Sequence, residues 1–137
     1  MIADSPAVSI QQAVYAALVA DTELTQTLGF SVVDDTDAVS YPYVSMGEGT
    51  EGPDNVHDQF GRDCTITLHV WSEEAGFTQA NQGAARATAV LDHQTLTLTG
   101  HRAVAVRFAS ATRMRDPREQ FVRHVAITFR VVTTQTS

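Results

Sequence analysis

The chain has 137 residues, 43% of them hydrophobic and 18% charged, with a formal net charge of −7; this is the make-up of a soluble folded domain and not of a disordered segment. That length predicts a single domain over residues 1–137, able to bury roughly two-thirds of the surface of its unfolded chain. No apolar run nears the ~20 residues of a membrane span, Met1 to Pro6 lacks the basic start and apolar stretch of a secretory signal, and the acidic balance disfavours nucleic acid as the main ligand, because phosphate contacts need a basic field. A cytoplasmic origin is the expectation.

Ser5-Pro6 reads as a helix cap followed by proline at the first helical position, with Ser9-x-x-Gln12 offering a capping box one turn later. Ile10, Ala13, Val14, Ala17 and Leu18 then recur at helical spacing, which predicts an amphipathic helix over 6–20. Asp21 to Leu24 suggests another short helical turn, closed by Gly29. Phe30 to Val33 is a short strand candidate, and Asp34-Asp35-Thr36-Asp37 a solvated turn. Tyr41 to Met46 is extended, with Pro42 confined to an edge or a strand start because it cannot donate to a ladder. Residues 47–55, rich in glycine and acids, predict a mobile loop without regular structure.

The clearest strand is 62–71. Cys64, Ile66, Leu68 and Val70 face one way, and Thr65, Thr67, His69 and Trp71 the other. Cys64 has no partner for a disulfide and reads as a small buried hydrophobe. Phe77 to His93 predicts a second helix, whose stripe of Ala80, Ala84, Ala87, Val90 and Leu91 would let it lie close on a sheet. The last third alternates twice, through Val104, Val106 and Phe108 and again through Val125, Ile127, Phe129 and Val131, with Asp116-Pro117-Arg118 between; this is a long hairpin. The expected class is α+β: a mixed, mainly antiparallel sheet packed against two main helices.

Catalytic and cofactor signatures are missing. Gly47-Glu48-Gly49-Thr50-Glu51-Gly52 spells G-x-G-x-x-G, but Pro53-Asp54-Asn55 follows where a dinucleotide site needs a helix start, and both glutamates would repel phosphate. The aspartates at 34–37 lack calcium-loop spacing, and the five histidines lack any zinc pattern. His69 and His124 fall on the more polar side of their strands, as hydrogen-bonded surface histidines do. No enzyme activity, cofactor or metal is expected.

Charge is distributed unevenly. All nine basic residues are arginine; eleven acids and Arg62 alone occupy residues 1–63, whereas eight arginines and five acids follow. Two oppositely charged regions suit head-to-tail self-association; intermixing on the folded surface is the plain alternative. Glu48, Glu51, Asp54 and Asp58 are candidate loop or channel acids. Trp71, at a strand end, is core packing or an interface anchor. Arg113, Arg115, Arg118 and Arg123 cluster towards the hairpin tip, where no apolar pattern demands burial.

The succession Ala13-Val14-Tyr15-Ala16-Ala17-Leu18, Tyr41-Pro42-Tyr43-Val44, the glycine-rich segment, Leu68-His69-Val70-Trp71-Ser72, the alanine-rich helix closing in Leu91 and Phe129-Arg130-Val131 resembles the tail terminator or tail completion (head-tail joining) proteins of long-tailed bacteriophages and phage-like gene transfer agents. The resemblance implies a virion protein assembled in the host cytoplasm into a homo-hexameric ring. Such a ring would sit at the head-proximal end of the tail, ending tube polymerisation and meeting the tail tube protein and a head-side connector or stopper. DNA would pass its lumen without specific binding, and no membrane or catalytic residue is involved. A stopper or a tail tube subunit is the alternative within the same particle.

Overall fold

A computed structural model describes residues 2–34, 40–119 and 121–136. Helix α1 (Ala7–Ala20) buries Ile10, Val14 and Leu18, as its periodicity predicts. Its start differs from the predicted cap: Ser5 Oγ accepts from Ala7 N at 3.2 Å, while Ser9 Oγ is taken by the N–H of Thr99 at 2.7 Å and forms no capping box. A π-helical turn, Glu23–Thr27, follows, with its first N–H groups served by Asp21, whose carboxylate accepts from Leu24 N at 2.9 Å. Gly29 then takes φ 75°, a left-handed value that glycine adopts without strain.

Five strands form one sheet: β1 (Ser31–Val33), β2 (Tyr43–Pro53), β3 (Gly61–Glu73), β4 (His101–Arg115) and β5 (Val122–Gln135), in the order β1-β2-β3-β5-β4. Only β1 and β2 run parallel; the other pairs are antiparallel. Helix α2 (Thr78–Leu91) lies between β3 and β4 in the chain. The fold is α+β, with the expected C-terminal hairpin.

Both helices lie on one face. Cys64, Ile66, Leu68 and Val70 of β3 and Val125, Ile127, Phe129 and Val131 of β5 meet Ile10, Val14 and Leu18 of α1 and Ala80, Ala84, Ala87 and Leu91 of α2. The small residues of α2 permit its close approach; at Gly83 a Cβ would fall 2.7 and 2.9 Å from two ring carbons of Phe30. Helix α1 packs over β1 and β2, and α2 over β3, β5 and β4.

The expectation of an irregular loop over residues 47–55 is overturned. Residues 47–53 are strand, not loop: β2 continues to Pro53 against β3, with a bulge between Met46 and Gly49. The low strand propensity of Gly47-Glu48-Gly49 is overridden by a complete neighbouring strand. The glycines suit the close contact, since a Cβ on Gly47 would stand 2.6 Å from the His69 ring. The predicted Asp34–Asp37 turn falls mostly outside the described residues.

Candidate assembly surfaces

The second face of the sheet carries no helix among the described residues. Across it, cross-strand register aligns four side chains in a row: Tyr43 on β2 opposes Trp71 on β3, Trp71 opposes His124 on β5, and His124 opposes Met114 on β4. Directly opposed side chains on a sheet touch, and here they stack. The Trp71 and His124 rings are 3.9 Å apart at an interplanar angle of 6°, Tyr43 lies 6.1 Å from Trp71, and Tyr41 extends the row 5.5 Å beyond Tyr43.

His69, diagonal to His124, joins the row to Glu48. Its Nδ1 is 2.5 Å from His124 Nε2, and its Nε2 is 2.8 Å from Glu48 Oε1. A carboxylate only accepts, so with both rings neutral His69 donates from Nε2 to Glu48 and His124 donates from Nε2 to His69 Nδ1. Burial, and then the neighbouring His69, lower the His124 pKa to about 4. The hydrogen bond from His69 holds the Glu48 carboxyl below its usual range. No group of three or more metal-ligating side chains is assembled among the described residues.

Charge divides the same face lengthwise. Near Tyr41 stand Glu73, Asp116 and Glu119, which together with burial, the larger cause, raise its hydroxyl pKa. Towards the opposite end Arg107 faces Arg130 across the β4–β5 ladder, and Arg130 clamps Asp63 through two bonds of 2.8 and 2.6 Å.

The predicted acids do not form one surface. Glu48 points to the open face. Glu51 lies on the helix side, where it accepts from Ser5 Oγ at 2.6 Å and Arg62 Nε at 3.1 Å. Asp54 follows β2, its N–H bound to Gly61 O, and Asp58 is exposed in the turn before β3. The predicted arginines separate as well. Arg113, whose Nε donates to Asn81 Oδ1 at 2.7 Å, lies on the helix side near the tip, as do Arg115 and the Arg123 opposite it. Arg118 is exposed in the hairpin turn. Arg123, expected at an exposed tip, is buried, with its guanidinium 5.4 Å over the Phe77 ring and its Nη1 donating to Val122 O at 3.3 Å. Trp71 is half-buried in the aromatic row.

Sequence reasoning missed the Tyr41, Tyr43, His69 and His124 constellation. The alternation put His69 and Trp71 on one side and His124 on the polar side of its strand. Only the β3–β5 register, which nothing local encodes, brings them together.

Among the described residues the second face of the α+β sheet is thus made of stacked rings and charged groups. Residues 12–134 match the sequence model of the family described as tail completion protein gp17. A chain of the virion of a native gene transfer agent particle is 26% identical over 95% of this chain and 98% of its own, with a TM-score of 0.86. The gp17 protein of bacteriophage SPP1, 22% identical over 95% and 90%, shares the fold with a TM-score of 0.62. No curated protein matches in sequence. The protein is thus a structural component of a phage-type virion tail. It belongs to the tail completion protein gp17 family, in line with the resemblance read from its sequence.

Proposed function

We propose that this chain assembles as a homo-hexameric ring that caps the head-proximal end of the tail tube, ends its polymerisation and joins it to the head-side connector or stopper. It acts as one unit over residues 1–137, by fitting its neighbours and not by catalysis. The observation that carries the reading is the separation of charge across the sheet. Strands β1 and β2, with α1, come from the acidic half of the chain, and β4 and β5 from the arginine-bearing half. A closed ring needs two dissimilar patches on each subunit, and opposite edges of one rigid sheet supply them.

In this reading Glu48, Asp54 and Asp58 are the acids that face the lumen, where a negative wall lets DNA slide without adhering. Arg113, Arg115 and Arg118 dock the tube or the connector ring, and Trp71 anchors a contact on the open face. The test is electron microscopy of tails made with and without this chain. Uncontrolled tube length and unjoined heads in its absence support the proposal. Normal tube length overturns it, and long cylinders grown from the purified chain alone would instead identify a tube subunit. Alanine at Arg113, Arg115 and Arg118 together should leave the chain folded and stop tails joining heads.

A further inference from the structure

Resting on the ring reading above, we propose that adjacent copies meet through the exposed groove on α1 of one subunit and the β4 edge of the next. The outward side of α1 is apolar where a lone surface helix would be polar. Val8, Tyr15 and Val19 are 67%, 38% and 45% exposed and share one helical stripe with Gln12. Beside them a groove is lined by Val8, Gln11, Gln12, Tyr15 and Asp34.

The matching apolar surface lies across the molecule. Val104, at a bulge in β4, is 51% exposed, and Phe108 is 43% exposed although its ring edge rests on buried Phe129. Other large exposed side chains stand singly at the terminus, in turns or in the aromatic row. The start of α1 touches the segment entering β4, where Ser9 Oγ accepts from Thr99 N at 2.7 Å, but the groove opens beside Asp34, which follows β1, the edge strand opposite β4.

Charge selects a second copy as the occupant. Around Val104 and Phe108, strand β4 carries Arg102 and Arg107 and no acid, whereas residues 1–61 contain no lysine or arginine. The groove presents Asp34. An arginine-flanked apolar edge entering an acidic apolar groove is complementary in both respects. The β4 edge is also prevented from simply extending the sheet. Its Val106 carbonyl accepts from His93 N at 2.9 Å, and its Phe108 N–H donates to the Asp92 carboxylate at 2.8 Å. Blocked backbone groups suppress open-ended strand addition, which leaves side-chain docking as the means of contact.

The test uses tails capped in vitro, with wild-type rings first verified by electron microscopy. One population carries Tyr15→Cys and another Val104→Cys, and a short bismaleimide is added. Native Cys64 stays silent, being buried with its thiol pKa pushed up to about 11. Covalent dimers in the mixture and in neither variant alone support the inference, as does loss of rings with Val104→Glu in a chain that keeps its wild-type circular dichroism. Rings without mixed cross-links, or cross-links within Val104→Cys alone, overturn this interface while the ring reading survives. If wild-type tails carry no ring, both fail together.

Discussion

Acidification should weaken this fold through His124 before it reaches any carboxylate. A histidine ordinarily titrates near 6.5, and His124 does so at about 4 in the folded chain. The folded value is the lower one, so the unfolded chain takes the proton first. The contribution is complete above about pH 6.5 and is lost as pH falls towards 4. The interval of about 2.5 units, at about 1.36 kcal/mol each, sets a ceiling of about 3.4 kcal/mol. His124 is only half-buried, and Glu48 and Asp116 favour its charged form. Solvent screening therefore reduces the expected loss to about 1–2 kcal/mol. Asp21, Asp63 and Glu48 are held low by Arg86, Arg130 and His69, so their contributions disappear in a lower window, below their ordinary values of 3.8 to 4.5. The assay is urea unfolding in steps between about pH 7 and pH 4.5, comparing wild type with His124→Phe, which keeps a ring against Trp71 and cannot titrate. The wild type should lose about 1–2 kcal/mol more than the variant across that range. Parallel curves would refute the argument.

Other consequences concern the core. Gly83→Ala drives a methyl group into the Phe30 ring; overpacking of about 1–3 kcal/mol should exceed the ~1 kcal/mol gain in helix propensity, and a melting temperature at or above wild type would refute it. Leu68→Ala, at a fully buried position in the central strand, should cost about 2–5 kcal/mol in denaturant unfolding. A loss well under that range would show the site collapsing around the cavity. Cys64 should resist alkylation in the native chain and react promptly in denaturant, and equal rates in both conditions would contradict its burial.

What could be read in the sequence was what repeats locally. The helical spacing of Ile10, Val14 and Leu18 and the alternation through Cys64, Ile66, Leu68 and Val70 fixed two elements and the face each buries. Residues 47–53 escaped because their strand state is imposed by β3. Glycine and glutamate have little intrinsic reason to extend, and the ladder supplies the reason from outside. Arg123 was misplaced on the same ground. Its polarity suggested solvent, but Phe77, distant in sequence, offers a ring to lie on. The His69–His124 contact joins residues 55 positions apart and depends on strand register, which a single chain does not announce.

The uneven charge of the sequence survives folding for a topological reason. Strand β3 stands in the middle of both the sheet and the chain, so the strands of the acidic half lie towards one edge and the arginine-bearing β4 and β5 towards the other, while Asp116 and Glu119 remain acidic at the turn between them. An interleaved strand order would have mixed them. Three arginine–carboxylate pairs occur among the described residues, and two of them, Arg86–Asp21 and Arg130–Asp63, bridge the halves. These pairs neutralise the seam where α2 meets the π-turn and where β5 meets β3, and leave the outer edges charged. In the proposed ring, attraction between subunits acts at these edges, and the interior seam contributes to holding one subunit together. On the ring reading, charges so arranged would orient each folded subunit against the next copy.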